Sequence, residues 1–237
     1  MAENRRVILK VSGEQLGSPD NTFDMALALR VVSIIRSMRG ANWEVACVMG
    51  GGNVVRGQSL AANGFDNEVL ADEIGMLATV QNGAFLEQAL DQSGIPARLM
   101  SNVRVPHIAE DFSSKKARHE MTDGKVVLVG GGTGKTGFTT DSGVVVAAHE
   151  LGAPRVVKTT KVDGVYTSDP EVDPQAKKID NLTIQEAIKN EYGIMDHAAF
   201  GYAKTHGIGI NVCKPEPEHV LSVLSGETTH GTIISSN

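Results

Sequence analysis

The chain has 237 residues, of which 41% are hydrophobic and 21% charged, and this composition argues for a globular protein rather than a disordered chain. The formal net charge is −6, so no overall positive field is available to hold a nucleic-acid backbone, and we expect no nucleic-acid partner. Glycine is in excess, at 26 residues or about 11% of the chain, against a usual level of roughly 7%.

Two cysteines and the hydropathy pattern indicate the compartment. Cys47 and Cys213 each lie in an apolar run, which is typical of buried thiols rather than of a disulfide or a zinc site. No apolar stretch approaches the ~20 residues that span a bilayer, and residues 1–6 lead into a strand-like run without a signal peptide. We therefore expect a cytoplasmic protein with no membrane partner.

The first elements follow the order strand, helix, strand. Residues 6–11 are short, β-branched and apolar, and they end at Ser12-Gly13, which predicts a buried strand running into a turn. Residues 25–39 carry apolar side chains at helical spacing, with Gly40 as the expected stop. Residues 44–49 predict a second strand that runs directly into Gly50.

The same alternation continues to the end of the chain. We predict a long helix ending near 94, strands at 98–100, 125–129 and 155–158, a helix over 142–151 capped by Thr140 or Asp141, a loop or hairpin over 163–180, helices near 183–190 and 196–206, a strand over 208–213, a helix after 215 and a strand over 232–234. Residues 103–120 give no clear pattern. This order predicts an α/β fold, a three-layer α/β/α sandwich with a mainly parallel central sheet.

Three of the predicted strands end in glycine, at Ser12-Gly13, at Gly50 to Gly52 and at Gly130 to Gly132. Glycine has no Cβ, so consecutive backbone N–H groups can converge on an anion at such a turn. One such turn is more often a plain strand-to-helix connection. Three of them at strand ends favour an anion site, because ligands of open α/β sheets bind at the carboxyl ends of the strands.

Two familiar phosphate motifs nearly match the third glycine run, and neither holds. Gly132 to Gly137 fits G-x-G-x-x-G, but it lacks the acidic residue expected about 20 positions later in a dinucleotide site. Gly134-Lys135-Thr136 resembles the end of a P-loop, but that motif requires glycine where this chain has Val129. The seven histidines have no metal-ligand spacing, so we expect no metal site built from protein side chains alone.

Charged residues near the glycine turns indicate which anion the site could bind. Lys10 interrupts an apolar strand two residues before Ser12, and Arg56 follows the second turn, so both cations can face phosphate. The alternative for Lys10 is a solvent-facing position on an edge strand. Asp141 and Asp196 open helices, where each is either an N-cap or a functional carboxylate. Cations and backbone amides of this kind are nearly all that phosphoryl transfer requires, because its catalysis depends mostly on aligning the reactants and neutralising their charge.

Five ordered motifs carry a resemblance to a known family. They are Lys10-Val-Ser-Gly-Glu14, Gly50-Gly-Gly-Asn-Val-Val-Arg-Gly57, Asp72-Glu-Ile-Gly-Met-Leu-Ala-Thr-Val-Gln-Asn-Gly83, Phe138-Thr-Thr-Asp-Ser142 and Lys161-Val-Asp-Gly-Val-Tyr-Thr-Ser-Asp-Pro170, with Met195-Asp196 after them. Over essentially its whole length the chain resembles the bacterial UMP kinases of the amino acid kinase superfamily. The resemblance implies transfer of the ATP γ-phosphoryl group to UMP, with Mg²⁺ bound to the ATP phosphates.

The resemblance also implies a role for each matched residue. Lys10, Arg56, Asp141 and Asp196 would be catalytic: Lys10 and Arg56 near the transferred phosphoryl, Asp141 organising Lys10 and the magnesium-bound phosphates, and Asp196 supporting the lysines. Lys10, Val11, Ser12, Gly13, Gly52, Arg56, Thr160, Tyr166 and Asp169 would bind ATP. Gly51 and Arg56 would hold the UMP phosphate, Asp72 the ribose, and Thr133, Gly134, Lys135 and Thr140 would line the uridine site.

The family pattern carries expectations beyond the site. It implies one amino acid kinase domain over 1–237, with an acceptor-binding lobe (1–124) and an ATP-binding lobe (125–237), a homohexamer, GTP and UTP as effectors, and a place in pyrimidine nucleotide synthesis. The chain departs from the family at Lys135, where an asparagine usually helps to recognise uracil. Two alternatives stay open: another phosphotransferase of the superfamily, or a non-catalytic nucleotide- or oxyanion-binding protein on the same fold.

Overall fold

A nine-stranded sheet forms the centre of the computed structural model, which describes residues 5–18, 20–55, 60 and 64–236. The strand order is β4-β3-β5-β2-β1-β6-β10-β11-β9, and every neighbouring pair is parallel except β10 with β11. Strands β7 and β8 form a separate antiparallel hairpin. The predicted mainly parallel sheet is therefore confirmed.

The strands are β1 (Arg6–Val11), β2 (Glu44–Met49), β3 (Ala97–Ser101), β4 (Glu110–Asp111), β5 (Val126–Gly130), β6 (Arg155–Thr159), β7 (Val165–Tyr166), β8 (Lys178–Ile179), β9 (Asn181–Thr183), β10 (Gly209–Cys213) and β11 (Gly231–Ser235). The helices are α1 (Met25–Gly40), α2 (Glu68–Gln92), α3 (Ser114–Thr122), α4 (Thr140–Leu151), α5 (Ile184–Lys189), α6 (His197–His206) and α7 (Pro217–Ser225), with a 3-10 helix over Gly13–Gln15.

Two hydrophobic cores lie on opposite faces of the sheet, which makes the fold the predicted three-layer sandwich. On one face Val7 and Leu9 of β1 join the core that contains residues of α1, α2 and α7. On the other face Ile8 joins the core that contains residues of α4 and α6. Because side chains alternate along a strand, Lys10 points to the same face as Ile8, toward α4.

Several predicted helix boundaries need correction. Gly40 is the last residue of α1 rather than a stop beyond it, and Ala41 is the C-cap. Thr139, and neither Thr140 nor Asp141, is the N-cap of α4, so Asp141 lies in the first turn with its carboxylate free for another contact. The unclear stretch 103–120 holds β4 and most of α3. No helix within the described ranges is long and apolar enough to span a membrane.

Candidate functional site

Four adjacent strands of the sheet, β5, β2, β1 and β6, end at the same edge. Their parallel directions place the three glycine turns and Thr160, which follows β6, side by side at that edge. The sheet order also separates the turns: those of β5 and β2 lie to one side of β1, and the end of β6 lies to the other. This is the position at which open α/β sheets bind ligands.

Asp141 joins two lysines of neighbouring strands at the centre of this edge. Its Oδ1 accepts a hydrogen bond from Lys10 Nζ at 2.6 Å, and Lys158 Nζ donates to Oδ1 at 3.2 Å and to Oδ2 at 3.0 Å. The three side chains are only 14–15% exposed. Lys10 and Lys158 are partners in the parallel register of β1 and β6, so both reach the same face toward α4.

The edge-strand alternative for Lys10 is wrong, because β1 pairs with β2 on one side and β6 on the other. Lys158 was not assigned a role from the sequence, although it stands at the end of an apolar strand just as Lys10 does. Burial lowers the pKa of Lys158, and the neighbouring Lys10 charge lowers it further, while Asp141 acts in the opposite sense. Lys158 also donates to the carbonyl of Ile194.

Asp196 holds the start of α4 through hydrogen bonds rather than by contact with a lysine. It is the N-cap of α6, where it accepts from the Ala199 N–H at 2.7 Å, and it accepts from Thr139 Oγ1 at 2.5 Å and Ser142 Oγ at 3.3 Å. Thr139 Oγ1 in turn accepts from the Asp141 N–H at 3.0 Å. Burial raises the pKa of Asp196, but these hydrogen bonds outweigh it, and the pKa lies below its ordinary value.

The turns after β1 and β2 pack directly against each other. A Cβ on Gly13 would lie 2.5 Å from the backbone nitrogen of Asn53 and 2.7 Å from that of Gly52, so only glycine allows this approach. Val11 is the buried last residue of β1 and leads into this contact. On the other side of the second turn, Gly51 packs against α2, where a Cβ would meet the Gly75 carbonyl at 3.0 Å.

A buried asparagine of α2 fixes the second turn, and the sequence reasoning assigned it no role. Asn82 is fully buried, and its Nδ2 donates to the Gly50 carbonyl at 2.7 Å and to Asn53 Oδ1 at 2.7 Å. Asn53 Nδ2 donates back to Asn82 Oδ1 at 3.0 Å and also to the Thr22 carbonyl at 2.7 Å. These contacts join positions about 30 residues apart, so no local pattern reveals them.

The turn after β5 is tied to the same helix. Thr79 Oγ1 accepts from the Gly131 N–H at 2.7 Å, and Asp72 Oδ2 accepts from the Gly137 N–H at 2.6 Å. Gly131 has φ 77°, a left-handed conformation that favours glycine, and a Cβ there would lie 2.7 Å from Val103 N. Within the turn, Thr133 Oγ1 donates to the Lys135 carbonyl at 3.1 Å, and Gly134 also has positive φ.

A cavity of about 400 Å³ opens between the second and third turns and α2. Of the residues predicted for the acceptor site, Gly51, Asp72, Lys135 and Thr140 line it, and Thr133 and Gly134 are not among its lining residues. Gly52, which was predicted for the ATP phosphates, lines it as well. Phe138 and Met76 add apolar surface. The described part of the chain gives Lys135 no ion-pair partner. Arg56, predicted to reach this cavity, lies outside the described residues.

A second cavity, of about 600 Å³, lies on the other side of the lysine pair. It is lined by Lys158 and by the three residues predicted for the ATP nucleoside, Thr160, Tyr166 and Asp169. Tyr166 donates to Asp163 Oδ1 at 2.6 Å, and this hydrogen bond raises the pKa of Tyr166 to about 12. The phenol therefore stays protonated as a wall of the cavity.

The site thus consists of two cavities at the carboxyl edge of a parallel sheet, with a partly buried Lys-Asp-Lys cluster between them. This arrangement suits a protein that holds two anionic ligands around one charged centre. Comparison with known proteins identifies the class. The amino acid kinase family model matches residues 5–214, and the chain belongs to that family.

Within the family, similar proteins include uridylate kinases. The chain is 41% identical to the uridylate kinase of Bradyrhizobium diazoefficiens, over 98% of this chain and 97% of that protein, and 38% identical to that of Sulfurovum sp., over 97% and 99%. The crystal structure of UMP kinase from Bacillus anthracis superposes with a TM-score of 0.93 at 31% identity, covering 98% of this chain and 96% of the other. UMP kinase from Ureaplasma parvum gives a TM-score of 0.90 at 27% identity, covering 98% and 99%.

Proposed function

We propose that the protein is a UMP kinase that transfers the γ-phosphoryl group of ATP to UMP and releases UDP and ADP. The named relatives and the two UMP kinase structures support this activity over nearly the whole chain. The observation that carries the proposal is the Lys10-Asp141-Lys158 cluster, because it lies between a cavity at the predicted acceptor residues and one at the predicted ATP residues.

The chemistry is an in-line displacement. An oxygen of the UMP phosphate attacks the γ-phosphorus, the bond from that phosphorus to the oxygen bridging it to the β-phosphorus breaks, and ADP leaves with the electron pair. Lys10 and Lys158 would donate hydrogen bonds to the transferring group and offset its charge. Asp141 holds both ammonium groups in place, which lowers the cost of organising them during the reaction. Asp196 acts indirectly, by fixing the turn that carries Asp141.

The backbone turns would hold the phosphates. Ser12, Gly13 and Gly52 would bind those of ATP, with Gly51 and Arg56 on the UMP phosphate. On the acceptor side Asp72 would contact the ribose, and Thr133, Gly134, Lys135 and Thr140 would surround the base. Thr160, Tyr166 and Asp169 would enclose the ATP nucleoside. The two turns that pack at Gly13 belong to these two phosphate sets, which supports their serving one reaction.

Magnesium would enter with the nucleotide. Both oxygens of Asp141 already face lysine ammonium groups, and the described residues contain no group of three or more ligating side chains for a metal. Mg²⁺ is commonly held by one or two carboxylates together with substrate phosphates. We therefore assign its ligands mainly to ATP, and it would neutralise charge on the phosphates.

The wider expectations remain predictions. They are the division into lobes at 1–124 and 125–237, the homohexamer, regulation by GTP and UTP, a cytoplasmic location and a role in pyrimidine nucleotide synthesis. The cytoplasmic location follows from the cysteines and the hydropathy pattern, and the others follow from the family pattern of the sequence. Each has its own direct measurement, such as sedimentation for the assembly.

The experiment is an assay of ADP release with Mg²⁺-ATP and each of UMP, CMP, AMP and GMP. We expect turnover with a clear preference for UMP, and strong loss of turnover in Lys10→Ala. An enzyme with no preference for UMP would contradict the proposed acceptor. Unchanged turnover in Lys10→Ala would contradict the mechanism, and ATP binding without any transfer would indicate a non-catalytic binding protein.

A further inference from the structure

Gln15 places a carbonyl oxygen at the meeting point of two strand ends. It is the last residue of the 3-10 helix after β1, and its Oε1 accepts from the Ser12 N–H at 2.9 Å and from Ser12 Oγ at 3.3 Å. Thr159 Oγ1, at the end of β6, donates to the same oxygen at 3.2 Å. Because a backbone N–H only donates, the atom facing it has to be the carbonyl oxygen.

These three donors form the kind of site that an oxyanion would use. Ser12 lies two residues after Lys10, and Thr159 directly follows Lys158, so the donors come from the ends of the same two strands that carry the lysines of the central cluster. The contact from Ser12 is a local helix cap. The contact from Thr159 is not, since it joins positions 144 residues apart across the β1–β6 boundary. One neutral oxygen therefore takes up donors from two strands at the predicted phosphate edge.

We propose that the Gln15 carboxamide is an internal ligand of this site, which occupies the Ser12 and Thr159 donors in the nucleotide-free protein and gives way to a phosphate oxygen when the donor nucleotide binds. The proposal rests on the proposed function, which assigns Ser12 to the ATP phosphates. A charged phosphate oxygen is a stronger acceptor than a neutral amide, so the exchange runs toward bound nucleotide. Because the carboxamide has to leave these donors first, the apparent affinity for the nucleotide is weaker than it would be at a free site.

Contacts that do not involve the Gln15 carboxamide also hold the turn. Backbone hydrogen bonds from Gln15 N to the Ser12 carbonyl, at 3.0 Å, and from Leu16 N to the Gly13 carbonyl, at 2.9 Å, close the 3-10 helix. The packing of Gly13 against Gly52 is likewise independent of the carboxamide. Removing the carboxamide should therefore free the donors for phosphate instead of collapsing the turn. If the carboxamide instead supported a phosphate-binding turn, its removal would weaken the binding of the nucleotide.

The test compares Gln15→Met, which keeps the length of the side chain and removes the acceptor, with Gln92→Met, the same change at an exposed position at the end of α2. Calorimetry would measure the Kd of a non-hydrolysable ATP analogue with Mg²⁺, and of adenosine. We expect Gln15→Met to lower the Kd of the analogue roughly threefold to tenfold, the value of one or two exchanged hydrogen bonds. Adenosine carries no phosphate, so its Kd should not change, and Gln92→Met should match the wild type.

The outcomes separate the proposal from the proposed function. An unchanged or raised Kd of the analogue in Gln15→Met, with normal wild-type turnover of UMP, overturns the internal-ligand proposal alone. Equal tightening of adenosine overturns it too, because the effect would then not concern phosphate. If Gln15→Met does not fold, Gln15→Asn, whose shorter side chain cannot keep all three contacts, gives the same comparison. A wild type that binds no analogue overturns both proposals.

Discussion

Lys10 and Lys158 stand opposite each other in the parallel register of β1 and β6, and both ammonium groups donate to the carboxylate of Asp141, at 2.6 Å and 3.0 Å. Two positive charges thus share one negative charge in a mostly buried position. The cluster keeps a surplus of one positive charge between the two cavities, where an anionic group would be attracted without recruiting a new cation. A phosphoryl group in transit between two nucleotides fits that position.

Because Lys158 contacts Asp141 just as Lys10 does, we predict that it also contributes to phosphoryl transfer. We expect Lys158→Met, which keeps most of the stem and removes the charge, to lower kcat by roughly 10²- to 10³-fold, the usual cost of losing one donor to developing charge. The KM for UMP should change far less, because Lys158 does not line the cavity that we propose for UMP. Steady-state kinetics with both nucleotides varied would measure the two effects separately.

The control for Lys158→Met is Lys115→Met, an exposed lysine on α3 that loses the same charge away from the site. It should keep wild-type kinetics. Circular dichroism would establish that both variants are folded. A folded Lys158→Met with kcat within a factor of about two of the wild type would show that Asp141 and Lys10 suffice.

The lowered pKa of Lys158 predicts the alkaline limb of the pH profile. Burial and the neighbouring Lys10 charge place that pKa below its ordinary value of 10.5, so the ammonium group loses its proton at lower pH than an exposed lysine does. We expect kcat/KM for ATP, which reports the groups of the free enzyme, to fall with an apparent pKa below 10.5. Between the folded and unfolded pKa values the unfolded chain binds more protons, so this group makes the fold more stable as pH rises.

Unfolding through Lys158 therefore does not account for the predicted loss of rate. In Lys158→Arg the guanidinium stays charged over the same pH range, so the residual activity should no longer fall at alkaline pH. Rate measurements from neutral pH to 10.5, with circular dichroism at each point, would check both statements. The same limb in Lys158→Met would assign it to another group.

The sequence allowed the prediction of Lys10 but not of Lys158, for a physical reason. A lysine before Ser12-Gly13 stands out because a glycine turn follows it, whereas Lys158 is followed by threonines and resembles an ordinary strand end. Which strand pairs with β1, and in what register, depends on the packing of the whole sheet. The order of strands and helices, by contrast, depends on local hydrophobic periodicity, and it could be predicted for almost the whole chain.

The side chains that hold the glycine turns in place could not be predicted from the sequence either. Thr79 and Asn82 lie within a long helix whose periodicity predicts only the helix itself, and their partners are 52 and 32 positions away. Asp196 could be predicted as an N-cap from its place before a helix, but its hydrogen bond to Thr139 depends on how α6 packs beside α4. Local chemistry is thus readable from sequence, and contacts between distant elements are not.

Lys135 gives a prediction about the base of the acceptor. Lys135, Asp72 and Thr140 line the cavity that we propose for UMP, and an ammonium group only donates hydrogen bonds. It should therefore favour the 4-carbonyl of uracil over the 4-amino group of cytosine. We expect Lys135→Met to lower the ratio of kcat/KM for UMP to that for CMP by roughly tenfold, about the value of a hydrogen bond to a charged group.

The matched control for this prediction is Lys115→Met, which should leave the UMP to CMP ratio unchanged. A second variant, Lys135→Asn, restores a side chain that both donates and accepts, and it should lie between Lys135→Met and the wild type. If the KM for both nucleotides rises equally in Lys135→Met while the ratio holds, Lys135 contacts phosphate or ribose and does not read the base.

Gly13 and Gly40 offer a matched pair of glycine substitutions. A Cβ on Gly13 would lie 2.4 Å from Asn53 Oδ1 and 2.5 Å from Asn53 N, so Gly13→Ala has to push the first two turns apart. We expect a destabilisation of about 1–3 kcal/mol, a Tm lower by about 2–12 °C, and a higher KM for both ATP and UMP. Both nucleotides should be affected because the displaced turns carry amides assigned to each of them.

Gly40 has no heavy atom within 4 Å of the same added Cβ, and it closes α1 far from either cavity. Gly40→Ala should keep both KM values and raise the free energy of unfolding slightly, since alanine is the better helix former by about 1 kcal/mol. Thermal unfolding and steady-state kinetics on the two variants separate a general intolerance of alanine from the close approach at Gly13. Wild-type KM values in Gly13→Ala would mean that the contact between the turns does not position the phosphates.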